Sequence, residues 1–159
     1  MPRPRRYPDS MATRRAKPKV AVSSSQKAVR VPRKKIAELV AFVAACEGAS
    51  ISDVDLAVVD MQQIAALNRR YLGRTGTTDV LSFDLSEGRH PDISAQVVVC
   101  GPLAARRARR SGLGVQRELL LYVVHGLLHL MGYDDNNPPS RAKMSNRQEE
   151  LLSQFLAQK

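Results

Sequence analysis

The chain has 159 residues, 43% of them hydrophobic, which is enough for one domain with its own core. Residues 1–35 hold twelve Lys/Arg against one acid and residues 36–159 hold thirteen against fourteen, so the net charge of +10 belongs to the N-terminal arm and marks no surface of the domain by itself. Two cysteines without CxxC spacing exclude a disulfide scaffold and are expected as buried free thiols, and the longest apolar run, LLLYVVHGLLHLMG, is too short for a membrane span, so a soluble cytoplasmic protein is expected.

Residues 1–18 combine Pro, Arg and Lys with few apolar side chains, so they bury too little to offset the entropy of ordering and are expected as a disordered basic arm. An Arg-rich transit peptide competes with this reading, although its prolines oppose an amphipathic helix, and Met11 is an alternative start. The domain is expected over 19–159. KVAVSSS alternates like a strand, and VPRKKIAELVAFVAACEG sets Ile36, Leu39, Val40 and Val43 at helical spacing with Gly48 as the stop. ISDVDLAVVD alternates Val54, Leu56 and Val58 against Asp53 and Asp55, as a strand does. MQQIAALNRRYLG follows as a helix with Ile64, Leu67 and Tyr71 on one face, and TTDVLSFDL is a third strand. The composition of SEGRHPDIS predicts a loop, and QVVVC is a short strand. GPLAARRARRSGLG is a helix from Pro102 to Gly112, QRELLLYVVHGLLHLM a long helix ended by Gly132, and the polar YDDNNPPS a loop before a last helix through QEELLSQFLAQ. Interleaved strands and helices predict helices packed on a small sheet.

The long helix carries the chemistry. His125 and His129 are four residues apart, hence on one face with roughly 5–6 Å between Cβ atoms, so both can reach one small ion. Gly132 then turns the chain so that an acid just beyond it can complete the set. The bland alternative has one imidazole hydrogen-bonded in the core and the other in solvent, but two buried among leucines without partners would be costly. Spacing does not decide between Asp134 and Asp135, and either can be a solvated acid of the loop. The pattern H-x-x-x-H-x-x-G-x-x-D is also that of metalloproteases of the metzincin kind, except that their catalytic Glu follows the first His, where this chain has Gly126.

A closer match lies in the same residues. VVHGLLHLMGYDD resembles the HGxLHLxGYDH signature of the YbeY family, bacterial metal-dependent endoribonucleases specific for single strands and linked to rRNA maturation and ribosome quality control. LNRRYLGRTGTTDVLSF is similar to that family's LNxxYRxKDxPTDVLSFP, bringing Asn68, Tyr71, Thr78, Asp79, Val80, Leu81, Ser82 and Phe83 into register. REL before the histidine helix and the QEELL tail also fit, so the resemblance spans about residues 19–157.

The resemblance implies an α+β fold with a small four-stranded mixed sheet packed on helices, and a metal site of His125, His129 and Asp135 at the C-terminal end of the central helix. It further implies one Zn2+ per chain, no other small-molecule cofactor, and single-stranded RNA, rRNA and the ribosome as partners. Asp135 stands where the family has its third His, Leu72 where it has an Arg after the Tyr, and Ala95-Gln96 where a Gly-Asp pair precedes the central strand. A carboxylate is a good zinc ligand. The missing Arg matters more, since a cation beside a scissile phosphate stabilises the transition state. Arg70 and Arg74 flank Leu72 and are the candidates to replace it; solvated positions at a helix end account for them equally. No residue stands out as general base. Arg106, Arg109 and Arg110 share a helix face by i, i+3 and i, i+4 spacing and are candidates to bind an RNA backbone, mostly by charge, because only 4% of residues are aromatic. The other reading is a ribosome-associated RNA-binding protein that keeps the fold and cuts poorly or not at all.

Overall fold

The computed structural model describes residues 16–87 and 92–158. The expectation for residues 1–18 therefore falls outside the described residues up to residue 15. The elements run β1 (Lys19–Ser24), α1 (Arg33–Glu47), β2 (Ser50–Val59), α2 (Met61–Leu72), β3 (Val80–Asp84), β4 (Asp92–Cys100), α3 (Gly101–Ser111), α4 (Val115–Leu130) and α5 (Pro138–Ala157). The four strands form one mixed sheet in the order β1-β2-β4-β3. β1 and β4 pair parallel to β2, and β3 runs antiparallel to β4 along the sheet edge. Parallel neighbours require a crossover, which α1 supplies between β1 and β2.

The two faces of the sheet are covered unequally, and the alternation in β2 explains why. Val54, Leu56 and Val58 point into the main core with Val97 and Val99 of β4, under α1, α4 and α5. On the opposite face Asp53 and Asp55 are exposed, and the far end of the strand, at Ala57 and Val59, joins a second cluster with Ile64, Leu81, Val98 and Cys100 beneath α2. Ile36, Leu39, Val40 and Val43 of α1 are all buried, and the helix ends on Gly48 in the left-handed region. α4 is the central helix. Apart from its first turn and His125, nearly every residue from Leu119 to Leu128 is buried, so it is enclosed between the sheet and α5.

Four expectations are corrected. β4 begins at Asp92, so part of the expected loop is strand, and Ala95-Gln96 lie inside it. The start is fixed by pairing with β2, where Ser50 meets Asp92 and Ile51 meets Ile93. The last helix begins at Pro138, because Asn137 caps it by accepting the Ser140 N–H at 2.9 Å and proline suits a first helical turn. On α2 the buried stripe is Ile64 and Asn68, and Tyr71 is 57% exposed. Asn68 stays inside by donating its amide to the Gly76 carbonyl, while Tyr71 lies edge-on to Phe83 at 5.5 Å. Both cysteines are free, but only Cys100 is buried; Cys46 is exposed because the buried stripe of α1 ends at Ala44.

Candidate metal centre

The close approach of α4 to the sheet sets the position of the histidines. A Cβ at Gly126 would lie 2.8 Å from Ser82 Oγ, 2.9 Å from Val97 Cγ1 and 3.1 Å from Val80 Cγ2. Glycine is required there by space, and the Ser82 hydroxyl uses the space by donating to the Gly126 carbonyl at 3.0 Å. The same crowding excludes a glutamate directly after the first histidine. The absent protease base thus has a structural cause in this chain.

Beyond α4, Gly132 adopts φ 98°, a conformation other residues rarely take, and lets Tyr133 fold back so that its N–H reaches the Leu128 carbonyl at 3.1 Å. The Tyr133 carbonyl then meets His129 Nδ1 at 3.1 Å. A carbonyl only accepts, so neutral His129 carries its proton on Nδ1 and presents a lone pair at Nε2. His125 Nδ1 meets Gln148 Oε1 of α5 at 2.8 Å, which leaves its Nε2 facing His129 Nε2 at 3.1 Å. Asp135 Oδ2 completes the group at 3.9 Å from His125 Nε2 and 3.7 Å from His129 Nε2. Asp134 turns elsewhere, accepting the Asn136 N–H.

These distances suit a small cation. Ligands at about 2.0–2.1 Å from a tetrahedral zinc stand about 3.3–3.4 Å apart, and the three ligand atoms here all lie within 4.8 Å of one another. Two imidazole lone pairs facing each other need a cation or proton between them, and the Nδ1 partners orient both rings as they do in histidine metal centres. Burial, reinforced by the neighbouring His125, lowers the His129 pKa from its ordinary value, against the opposing pull of Asp135, and so favours the neutral ligand form. The side chains of His125, His129 and Asp135 are 25%, 32% and 46% exposed, so the centre opens to solvent on one side.

Arg70 and Arg74 lie at and just past the end of α2; the Arg70 guanidinium sits over the Tyr71 ring at 5.3 Å, and Leu72 between them is 49% exposed. Among the described residues, the hydrogen bonds of the two imidazoles run to Gln148, Tyr133 and each other, with none to Arg70 or Arg74. Arg141 in the first turn of α5 touches the group, donating from Nε to the Asp135 carbonyl at 3.4 Å. Arg106, Arg109 and Arg110 are exposed on α3, whereas Arg107 pairs with Asp79 at 2.9 Å. Gln148 and Arg141 were not singled out from sequence. Their partners are 23 and 6 residues away, and only the QEELL match pointed to this part of α5.

A mixed four-stranded sheet whose central helix presents two histidines, with an aspartate on the turn after it, defines a small α+β domain with a prospective metal centre. The family model for Endoribonuclease YbeY matches residues 19–156. Endoribonuclease YbeY of Syntrophus aciditrophicus is 34% identical over 139 residues, 84% of this chain and 87% of the relative. That of Macrococcus caseolyticus is 36% identical, covering 76% and 84%. The solution structure of TM1509 from Thermotoga maritima superposes with a TM-score of 0.56 at 26% identity, covering 86% of this chain and 88% of that one. The chain belongs to the YbeY endoribonuclease family.

Proposed function

We propose that the chain is a zinc-dependent endoribonuclease that hydrolyses single-stranded RNA during rRNA maturation and ribosome quality control in the cytoplasm, with His125, His129 and Asp135 as the ligands of one Zn2+. The observation that carries this is the convergence of the three ligand atoms within 4.8 Å on the exposed side of the central helix. A divalent cation bound there supplies Lewis-acid polarisation of a phosphate oxygen and lowers the pKa of a water. The protein's own part is orientation: Gln148 and the Tyr133 carbonyl fix both rings so that Nε2 faces the shared point. Asp135 makes the ligand set one unit more negative than three neutral histidines, so a bound Zn2+ would keep a net charge of about +1. Arg106, Arg109 and Arg110 offer an exposed basic face on which a backbone can rest by charge. Arg141, which donates to the Asp135 carbonyl, is a cation placed beside the centre, and Arg70 and Arg74 remain the candidates to replace the arginine that the family pattern has at Leu72.

One observation favours a second reading. Leu72 is half exposed where the family pattern has an arginine, and that loss together with the reduced charge of the centre weakens two sources of transition-state stabilisation. A ribosome-associated RNA-binding protein with little cleavage would follow. Comparing wild type with Leu72→Arg separates the readings. An active nuclease changes little, whereas a binder gains cleavage by about two to three powers of ten, the usual worth of one well-placed donor, with RNA affinity nearly constant.

A further inference from the structure

We propose that Glu47, at the end of α1, is a positioning residue of the metal centre that orients both imidazoles from behind, through Tyr133 and through α5. The inference rests on the metal-centre reading above and extends it to a residue far from the histidines in sequence. Glu47 has a side chain only 7% exposed, yet both its oxygens are used: Oε2 accepts the Tyr133 hydroxyl at 2.9 Å and Oε1 accepts Arg147 Nε at 2.5 Å. Tyr133 is the residue whose own carbonyl meets His129 Nδ1. Arg147 immediately precedes Gln148, which meets His125 Nδ1. One buried carboxylate thus joins the end of α1, the turn after α4 and the middle of α5; one arm ends on Tyr133, the partner of His129, and the other on Arg147, next to Gln148, the partner of His125.

The arrangement is more than general docking of α5. Arg117 and Glu149 form a separate ion pair between α4 and α5 at 2.9 Å, one residue beyond Gln148, and it touches neither imidazole nor its partner. The Tyr133 hydroxyl and backbone are held at two points, by Glu47 and by the Leu128 carbonyl, so the peptide that faces His129 has little freedom to swing away. Groups hydrogen-bonded directly to metal-bound histidines typically contribute about 10–100-fold to metal affinity, and Glu47 acts one contact further back.

The test uses the full chain and zinc alone, with affinity measured by competition against a chromogenic chelator and geometry by the visible spectrum of the cobalt(II)-substituted protein. Glu47→Ala is expected to weaken zinc by about 10-fold, the lower end of the range for direct partners of the histidines, and to alter the cobalt spectrum. Glu47→Gln, which keeps an oxygen for Tyr133, should recover much of the loss, and Tyr133→Phe should weaken zinc while adding little in the Glu47→Ala background. Glu149→Gln should leave both readouts at wild-type values. A folded Glu47→Ala protein with wild-type affinity and spectrum overturns the proposal, as does an equal loss in Glu149→Gln, which would assign the effect to docking of α5. If Glu47→Ala does not fold, Tyr133→Phe decides, and wild-type affinity in that variant overturns the proposal. Wild-type protein that binds no zinc would refute the metal-centre reading itself, a result distinct from either.

Discussion

Replacing Gly126 by alanine sets two opposing effects against each other, and the structure predicts which wins. On helix propensity alone, Gly→Ala inside α4 should stabilise by about 1 kcal/mol. The added methyl, however, would meet Ser82 Oγ at 2.8 Å, Val97 Cγ1 at 2.9 Å and Val80 Cγ2 at 3.1 Å, and two of these are closer than real Cβ atoms come. Ser82 could rotate, but only by giving up its bond to the Gly126 carbonyl, and the Val97 methyl belongs to the packed core. Overpacking of this kind costs about 1–3 kcal/mol, so the net effect is destabilisation of up to about 2 kcal/mol. For a domain of this size each kcal/mol lowers Tm by about 2–4 °C. Thermal unfolding of zinc-free protein followed by circular dichroism measures this. Ser82→Ala in the Gly126→Ala background should restore part of the loss, since it removes the nearest atom. A Gly126→Ala protein that melts higher than wild type would refute the claim that helix–sheet contact dictates glycine after the first histidine.

Other consequences reach the ligands and the arm. Purified protein should contain about one zinc per chain, lost in His125→Ala and in His129→Ala. Asp135→His should bind zinc as tightly or more so, and Asp134→Ala should bind as wild type; metal analysis and chelator competition check both. Removing residues 1–17 should leave Tm nearly unchanged while RNA affinity falls and its salt dependence becomes shallower, because six Lys/Arg leave with the segment. Filter binding at several salt concentrations tests that, and an unchanged slope would mean the arm does not contact RNA.

Local signals carried much of this structure. The apolar spacing of α1 and the alternation of β2 are one-dimensional patterns, and the glycines at 48 and 132 stop helices because of their own backbone freedom, so all were legible. The four-residue spacing of His125 and His129 likewise placed them on one face. What depends on pairing was not legible. β4 starts four residues before its apolar run because β2 extends alongside it. Two prolines looked like loop until Asn137 supplied the cap. Asp134 and Asp135 have the same chemistry in adjacent positions, and only the turn at Gly132 separates their roles. Glu47 contacts partners 86 and 100 residues away, a distance over which no periodicity reports.

RNA cleavage is expected to depend on a metal held by His125, His129 and Asp135. The most direct test of this dependence is the rate at which full-length protein cuts a labelled single-stranded oligoribonucleotide as prepared, after chelation, and after zinc is restored, with His129→Ala treated in parallel. Cleavage should disappear on chelation, return with zinc, stay absent in His129→Ala at every step, and spare the same oligonucleotide in a duplex. Wild-type rates in the chelated protein or in His129→Ala would contradict it.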